Sequence, residues 1–124
     1  SELLDALTAK HIQMAVLTNK PQHFAELCIQ EFFSGWEFAV ILGQRDGVPM
    51  KPDPTGPQEI SRCLDIPSQD FLYLGDTEID MRTAVSANMF PVGAMWGFRS
   101  EKELRESGAV EIIGRPTELL KFAK

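Results

Sequence analysis

The sequence predicts an α/β fold, a parallel β-sheet with helices on both of its faces, and three observations carry that prediction. Short apolar runs alternate along the whole chain with segments of about ten residues whose apolar positions recur at helical spacing. The runs are apolar at nearly every position rather than at every second one, as strands buried on both faces require. Most runs also end abruptly in small and polar residues, which is where such sheets bind ligands.

The elements follow in order. Glu2 to His11 reads as a helix with Leu3, Leu4, Leu7 and Ile12 on one stripe, and Gln13 to Thr18 as a strand. Pro21 sits where it opens the next helix, its missing N–H costing nothing there. Phe24, Leu27, Cys28 and Phe32 then recur at helical spacing, and Phe24, Phe32, Phe33 and Trp36 form a predicted core group. Phe38 to Leu42 is a strand closed by Gly43, Thr55 to Leu64 a helix, Asp70 to Leu74 a strand, Glu78 to Ala87 a helix and Phe90 to Met95 a strand. Glu101 to Glu106, Val110 to Ile113 and Pro116 to Phe122 complete the chain as helix, short strand and helix.

With 124 residues the chain is expected to form one domain, residues 1–124. A formal net charge of −6 argues against nucleic acid or an anionic membrane as partner. It also means that any anionic ligand must meet a local cation. Cys28 and Cys63 fit no metal spacing and read as reduced thiols. With no signal peptide and no apolar run near the ~20 residues of a membrane span, the expected location is cytoplasmic. His11 and His23 show no metal spacing and are expected at the surface.

The residues after the strands are the candidates for chemistry: Thr18-Asn19-Lys20, Gly43-Gln44, Gly75-Asp76-Thr77-Glu78 and Trp96-Gly97-Phe98. Asp76 and Asp80 stand four apart at a strand-to-helix turn, on one face. Hard carboxylate oxygens in that arrangement suit Mg²⁺. An Asp76 that caps the helix and an Asp80 that faces water would leave the same pattern. A hydroxyl and backbone N–H groups at Thr18-Asn19 make either an anion cradle or a self-satisfied turn. Lys51 lies in Met50-Lys-Pro-Asp-Pro54, where two prolines are expected to hold the backbone extended and so aim one ammonium, although a loop lysine is commonly solvated.

The order of these signals is more specific than any one of them. "LDALTAKHIQMAVLTNKP", "VPMKPDP" and "FLYLGDTEIDMRTAVSAN" together resemble the haloacid dehalogenase-like phosphohydrolases over essentially the whole chain, and phosphoglycolate phosphatases in particular. The resemblance implies a Rossmann-like core and hydrolysis of a small phosphorylated metabolite with Mg²⁺ as cofactor. It implies that Thr18 binds phosphate through its hydroxyl with help from the Asn19 backbone. Lys51 would hold the phosphate and shield the nucleophile, Asp76 would ligate Mg²⁺, and Asp80 would ligate or support the metal. A phosphomutase of the same fold is the alternative within the enzyme class. Dehalogenation fits less well, because dehalogenases of this fold need no metal and usually lack the Gly-Asp turn. A phosphorelay receiver would carry its acidic residues before the lysine, whereas here the order is Thr18, Lys51, Asp76.

One departure from the family pattern matters. The Asp-x-Asp-x-Thr segment that supplies the family's nucleophile and acid/base is absent from these residues, as is the cap. The chain therefore resembles the C-terminal portion of the core, expected to be inactive alone or to act as a non-catalytic or complementing fragment. Without the family's first strand, the strands ending at Thr18 and Gly75 are expected to face each other across a gap. Either another chain or an N-terminal fragment fills it, or the sheet closes by a different pairing, or the chain self-associates through its unpaired edges.

Overall fold

A computed structural model describes residues 1–96 and 99–123. The elements are α1 (Glu2–Ala9), β1 (Ala15–Pro21), α2 (Gln22–Phe32), β2 (Val40–Gln44), α3 (Thr55–Leu64), β3 (Leu72–Gly75), α4 (Glu78–Ser86), β4 (Phe90–Ala94), α5 (Glu101–Glu106) and β5 (Glu111–Ile113). Local chemistry sets several of the helix ends. Ser1 caps α1 by accepting the Leu4 N–H, and Ser100 and Glu103 form a reciprocal capping box at α5. Asp65 ends α3 in the left-handed conformation, with φ of 54°.

Two expected elements differ in kind. Asp70 belongs to a 3-10 turn, Ser68–Asp70, rather than to β3, because its N–H bonds back to the Pro67 carbonyl at 2.9 Å. The C-terminal helix is a 3-10 helix, Pro116–Lys121, whose Leu119 is driven into the core against α1.

The fold is α/β and Rossmann-like, with every strand pairing parallel, but the sheet is split. β1 pairs with β2, β3 with β4 and β4 with β5, while β1 and β3 are unpaired with each other. No alternative pairing closes the gap among the described residues. Burial records the split. β4 is buried along most of its length, whereas no residue of β1 or β3 is fully buried, although both would be interior strands in a continuous sheet.

Helices cover both faces. Leu3 and Leu7 of α1 pack with Val92, Ile113 and Leu119 beside Leu72 and Leu74. On the opposite face Phe71 and Tyr73 pack on Ala84, Ala87 and Met89, and Met81 joins Leu104 and Ala109. The alternation along β3 is the period-2 geometry of a strand buried from two sides.

The predicted aromatic core group is overturned. Phe24 is 58% exposed, Phe32 70% and Phe33 39%, and only Trp36 is partly covered. Of the residues of α2, only Ala25 is fully buried, so Phe24 and Phe32 stay largely exposed, whereas Phe33 just past the helix packs its ring against Trp36 and Phe38. His11 and His23 are exposed, and both cysteines are free thiols. Among the described residues no helix is long and apolar enough to cross a membrane.

Candidate functional site

The site is built from three connections that all end at the C-terminal edge of the strands. The first is the irregular C-terminal part of β1 itself, where its register with β2 shifts between Leu17 and Pro21. The Thr18 hydroxyl oxygen accepts the Lys20 N–H at 3.2 Å, and the Asn19 side-chain oxygen accepts the Lys51 N–H at 3.1 Å. Asn19 thus anchors the lysine loop with its side chain, a role that the sequence reading, which used only its backbone, missed.

The Lys51 loop itself is turned rather than extended, contrary to expectation. The Lys51–Pro52 bond is cis, and the Asp53 N–H donates to the Met50 carbonyl at 3.0 Å. Proline fixes φ but is as compatible with a turn as with an extended chain. Asp53 Oδ1 accepts both the hydroxyl and the N–H of Thr55, which lowers the Asp53 pKa below the usual carboxylate value and secures the start of α3. Thr18, Asn19 and Lys51 line one small cavity of about 10 Å³.

The third connection joins β3 to α4. Thr77 caps α4, its hydroxyl oxygen accepting the Asp80 N–H at 3.2 Å. The cap is therefore Thr77, not Asp76, and Asp80 does not face water, being only 8% exposed. Asp80 Oδ1 accepts from Lys51 Nζ at 2.8 Å. Asp80 Oδ2 accepts from the Thr77 hydroxyl at 3.0 Å and from the Asp76 N–H at 3.2 Å. The Thr77-x-x-Asp80 spacing is that of a capping box, a signal legible in the sequence that would have singled out Thr77.

Tyr73, on the same strand end, packs against Ala84, Ala87 and Met89. Burial pushes its phenol pKa well above the ordinary value, the Asp80 charge adds to this, and a Thr83 hydrogen bond opposes it.

The structure thus brings Lys51, Asp80 and Asp76 together by direct bonds, and Lys51, Asn19 and Thr18 together around a cavity. Lys51 is the joint between the two sets and between the two half-sheets. Gln44, by contrast, spends its side-chain amide on the Arg45 and Val48 carbonyls. Trp96 is 48% exposed, and Gly97 and Phe98 lie outside the described residues.

A metal fits this turn in a limited way. Among the described residues no three metal-ligating side chains cluster. The Asp80 oxygens are taken by Lys51, Thr77 and Asp76, whereas the Asp76 carboxylate accepts no hydrogen bond among the described residues. Mg²⁺ is commonly held by one or two carboxylates with waters and substrate phosphate oxygens. Asp76 suits one such position, with Asp80 orienting its backbone, and the remaining ligands would come from outside these residues.

The family model for haloacid dehalogenase-like hydrolases matches residues 1–94. The chain belongs to that family. Among its relatives, phosphoglycolate phosphatase 1 of Pseudomonas aeruginosa is 26% identical over 122 residues, covering 98% of this chain and 45% of the relative. The phosphoglycolate phosphatase of Pseudomonas savastanoi pv. phaseolicola is 27% identical over 112 residues, covering 90% and 41%. A provisionally assigned phosphoglycolate phosphatase from Lactobacillus delbrueckii subsp. bulgaricus has a crystal structure that superposes with a TM-score of 0.90 at 33% identity. It covers 98% of this chain and 50% of that one. The chain spans less than half the length of these two curated relatives.

Proposed function

We propose that this chain is the core portion of a Mg²⁺-dependent phosphatase that hydrolyses a small, phosphoglycolate-like phosphorylated metabolite, and that these residues alone do not turn over. The observation that carries the reading is the Lys51–Asp80 ion pair, whose side chains are only 15% and 12% exposed. Phosphoryl transfer depends chiefly on positioning and on neutralising charge over the equatorial oxygens. An ammonium has three N–H donors. One is fixed on Asp80, which leaves two for a phosphate oxygen and for the attacking carboxylate. The Thr18 hydroxyl accepts from the Lys20 N–H, so its own proton remains available to a second phosphate oxygen, with the Asn19 backbone beside it. Mg²⁺, when bound at Asp76, would offset the negative charge that nucleophile and substrate bring together. The nucleophile and the acid/base would be carboxylates from outside residues 1–124, as the resemblance implies.

The test is Mg²⁺-dependent hydrolysis of p-nitrophenyl phosphate by this chain alone and by the chain joined to an Asp-x-Asp-x-Thr segment from a relative. Activity is expected only in the joined protein. Turnover by the bare chain that survives Asp76→Ala would overturn the assignment. In the joined protein Asp76→Asn should raise the Mg²⁺ concentration for half-maximal rate at least a hundredfold, and Asp80→Asn only about tenfold, the scale of a residue that orients a ligand. The reverse ranking would exchange their roles.

A further inference from the structure

We infer that Gln22 is a positioning residue for phosphate binding: its side-chain amide grips β2 and so fixes the bulge that presents the Thr18 hydroxyl. The inference deepens the phosphatase reading and rests on it, because Thr18 is taken there as a phosphate ligand.

The register of β1 and β2 shows why the bulge needs a grip. Leu17 stands opposite Leu42 and Pro21 opposite Gln44, so β1 takes four steps where β2 takes two. Two residues of β1 therefore have no opposite number, and the chain bulges between Leu17 and Pro21, where Thr18, Asn19 and Lys20 lie. Pairing resumes only at the last residue of both strands, and Pro21 has no N–H to give it. The Thr18 hydroxyl oxygen accepts the Lys20 N–H, which closes the turn on itself, and the Asn19 side chain holds the Lys51 loop. Neither of these bonds reaches β2.

Gln22, the first residue of α2, reaches it with both ends of one amide. Its Oε1 accepts the Gly43 N–H, and its Nε2 donates to the Ile41 carbonyl at 2.8 Å. A backbone residue opposite Leu42 in a parallel ladder would meet the same two partners, the carbonyl before and the N–H after. The side chain thus stands in for a ladder residue just beyond the bulge. An amide suits this because it carries a donor and an acceptor side by side, which a carboxylate does not. A longer contact, from Nε2 to Glu26 Oε2 at 3.3 Å, lies on the exposed surface.

Gly43 is the other half of the grip. An added Cβ there would lie 2.6 Å from the Lys20 carbonyl oxygen, 2.8 Å from Gln22 Cα and 3.0 Å from Gln22 N. All three are backbone atoms, so no change of rotamer relieves the contact. Glycine lets the end of β1 and the start of α2 lie directly on β2, and Gly43 lines the same small cavity as Thr18 and Asn19. The Lys51–Asp80 pair leaves this glycine unexplained, and the Gln22 grip accounts for it.

A double-variant cycle in the joined protein, read as kcat/KM for p-nitrophenyl phosphate, tests the inference. Thr18→Val should lower kcat/KM about a hundredfold, as the loss of one donor does. Gln22→Met keeps the length of the side chain, loses both bonds to β2 and should cost at least tenfold, because small misplacements of a positioned group are costly in rate. Combined with Thr18→Val it should add no more than about threefold, since most of what it misplaces is already gone, whereas independent effects multiply. Gln30→Met, the same change at an exposed position of α2, should stay within about twofold of the parent. Amide exchange on the chain alone gives a reading without turnover. In Gln22→Met the Lys20 N–H should exchange at least tenfold faster, and that of Met81, buried in α4, should be unchanged. Multiplying rate effects, a parental rate for Gln22→Met, unchanged exchange at Lys20, or equal acceleration at Met81 would each overturn the inference and leave the phosphatase reading standing. A parental rate for Thr18→Val would overturn both the inference and the place of Thr18 in that reading.

Discussion

Lys51→Ala is expected to slow hydrolysis by the joined protein at least a hundredfold and to destabilise the fold by about 3 kcal/mol. The rate effect follows from losing one donor to the charge that develops at phosphorus, which in comparable sites is worth roughly 3 kcal/mol. The stability effect has a separate origin. Asp80 would be left buried with its Oδ1 unpaired, and breaking one side of such a pair costs about 3–5 kcal/mol. Measuring kcat/KM and urea unfolding on the same variants separates the two effects. In the double variant Lys51→Met with Asp80→Asn no buried charge is left unpaired, so most of the stability should return while the rate stays low. A Lys51→Ala enzyme near the parental rate would remove the lysine from the site, whatever its stability.

That dual role explains why the site was only partly legible in the sequence. Glycine, aspartate and lysine after the strands marked the connections that the fold brings together, because strand ends in a parallel sheet are where polar residues gather. The side of Lys51 that faces Asp80 is a tertiary contact across 29 positions, and no local spacing encodes it. The turned Met50–Pro54 loop was missed for a related reason. Proline restricts φ in the same way in turns and in extended chain, and the Asn19 bond to the Lys51 N–H is likewise tertiary.

The helices Thr55–Leu64 and Glu101–Glu106 have the limits read from the sequence, since helical periodicity is a local signal. The split of the sheet was visible only through the resemblance. Apolar runs announce that strands are buried, but they do not say which strands are neighbours. The phenylalanines of α2 failed in the opposite direction. Their helical spacing is real, yet burial needs a partner surface, and none of the described residues supplies it.

Gly75→Ala should lower the melting temperature by about 10 °C and impair the joined enzyme, although it adds a single methyl group. A Cβ at Gly75 would clash with Asp80 Cβ and lie 2.6 Å from its Cγ and 2.7 Å from Oδ2. Non-bonded carbons do not approach so closely, so β3 and the first turn of α4 must separate. Asp80 cannot simply swing aside, because Lys51, Thr77 and the Asp76 N–H fix both of its oxygens. Overpacking of this kind costs about 1–3 kcal/mol, and for a domain of this size each kcal/mol moves Tm by roughly 4 °C. Gly35→Ala is the control, since an added Cβ there meets nothing within 4 Å. Its melting temperature should stay within about 2 °C of the parent, the range of a surface substitution. The two measurements together isolate the contact. A Gly75→Ala protein as stable and active as Gly35→Ala would mean that the close approach of Asp80 to the end of β3, on which the Lys51 geometry depends, is not required by the folded enzyme.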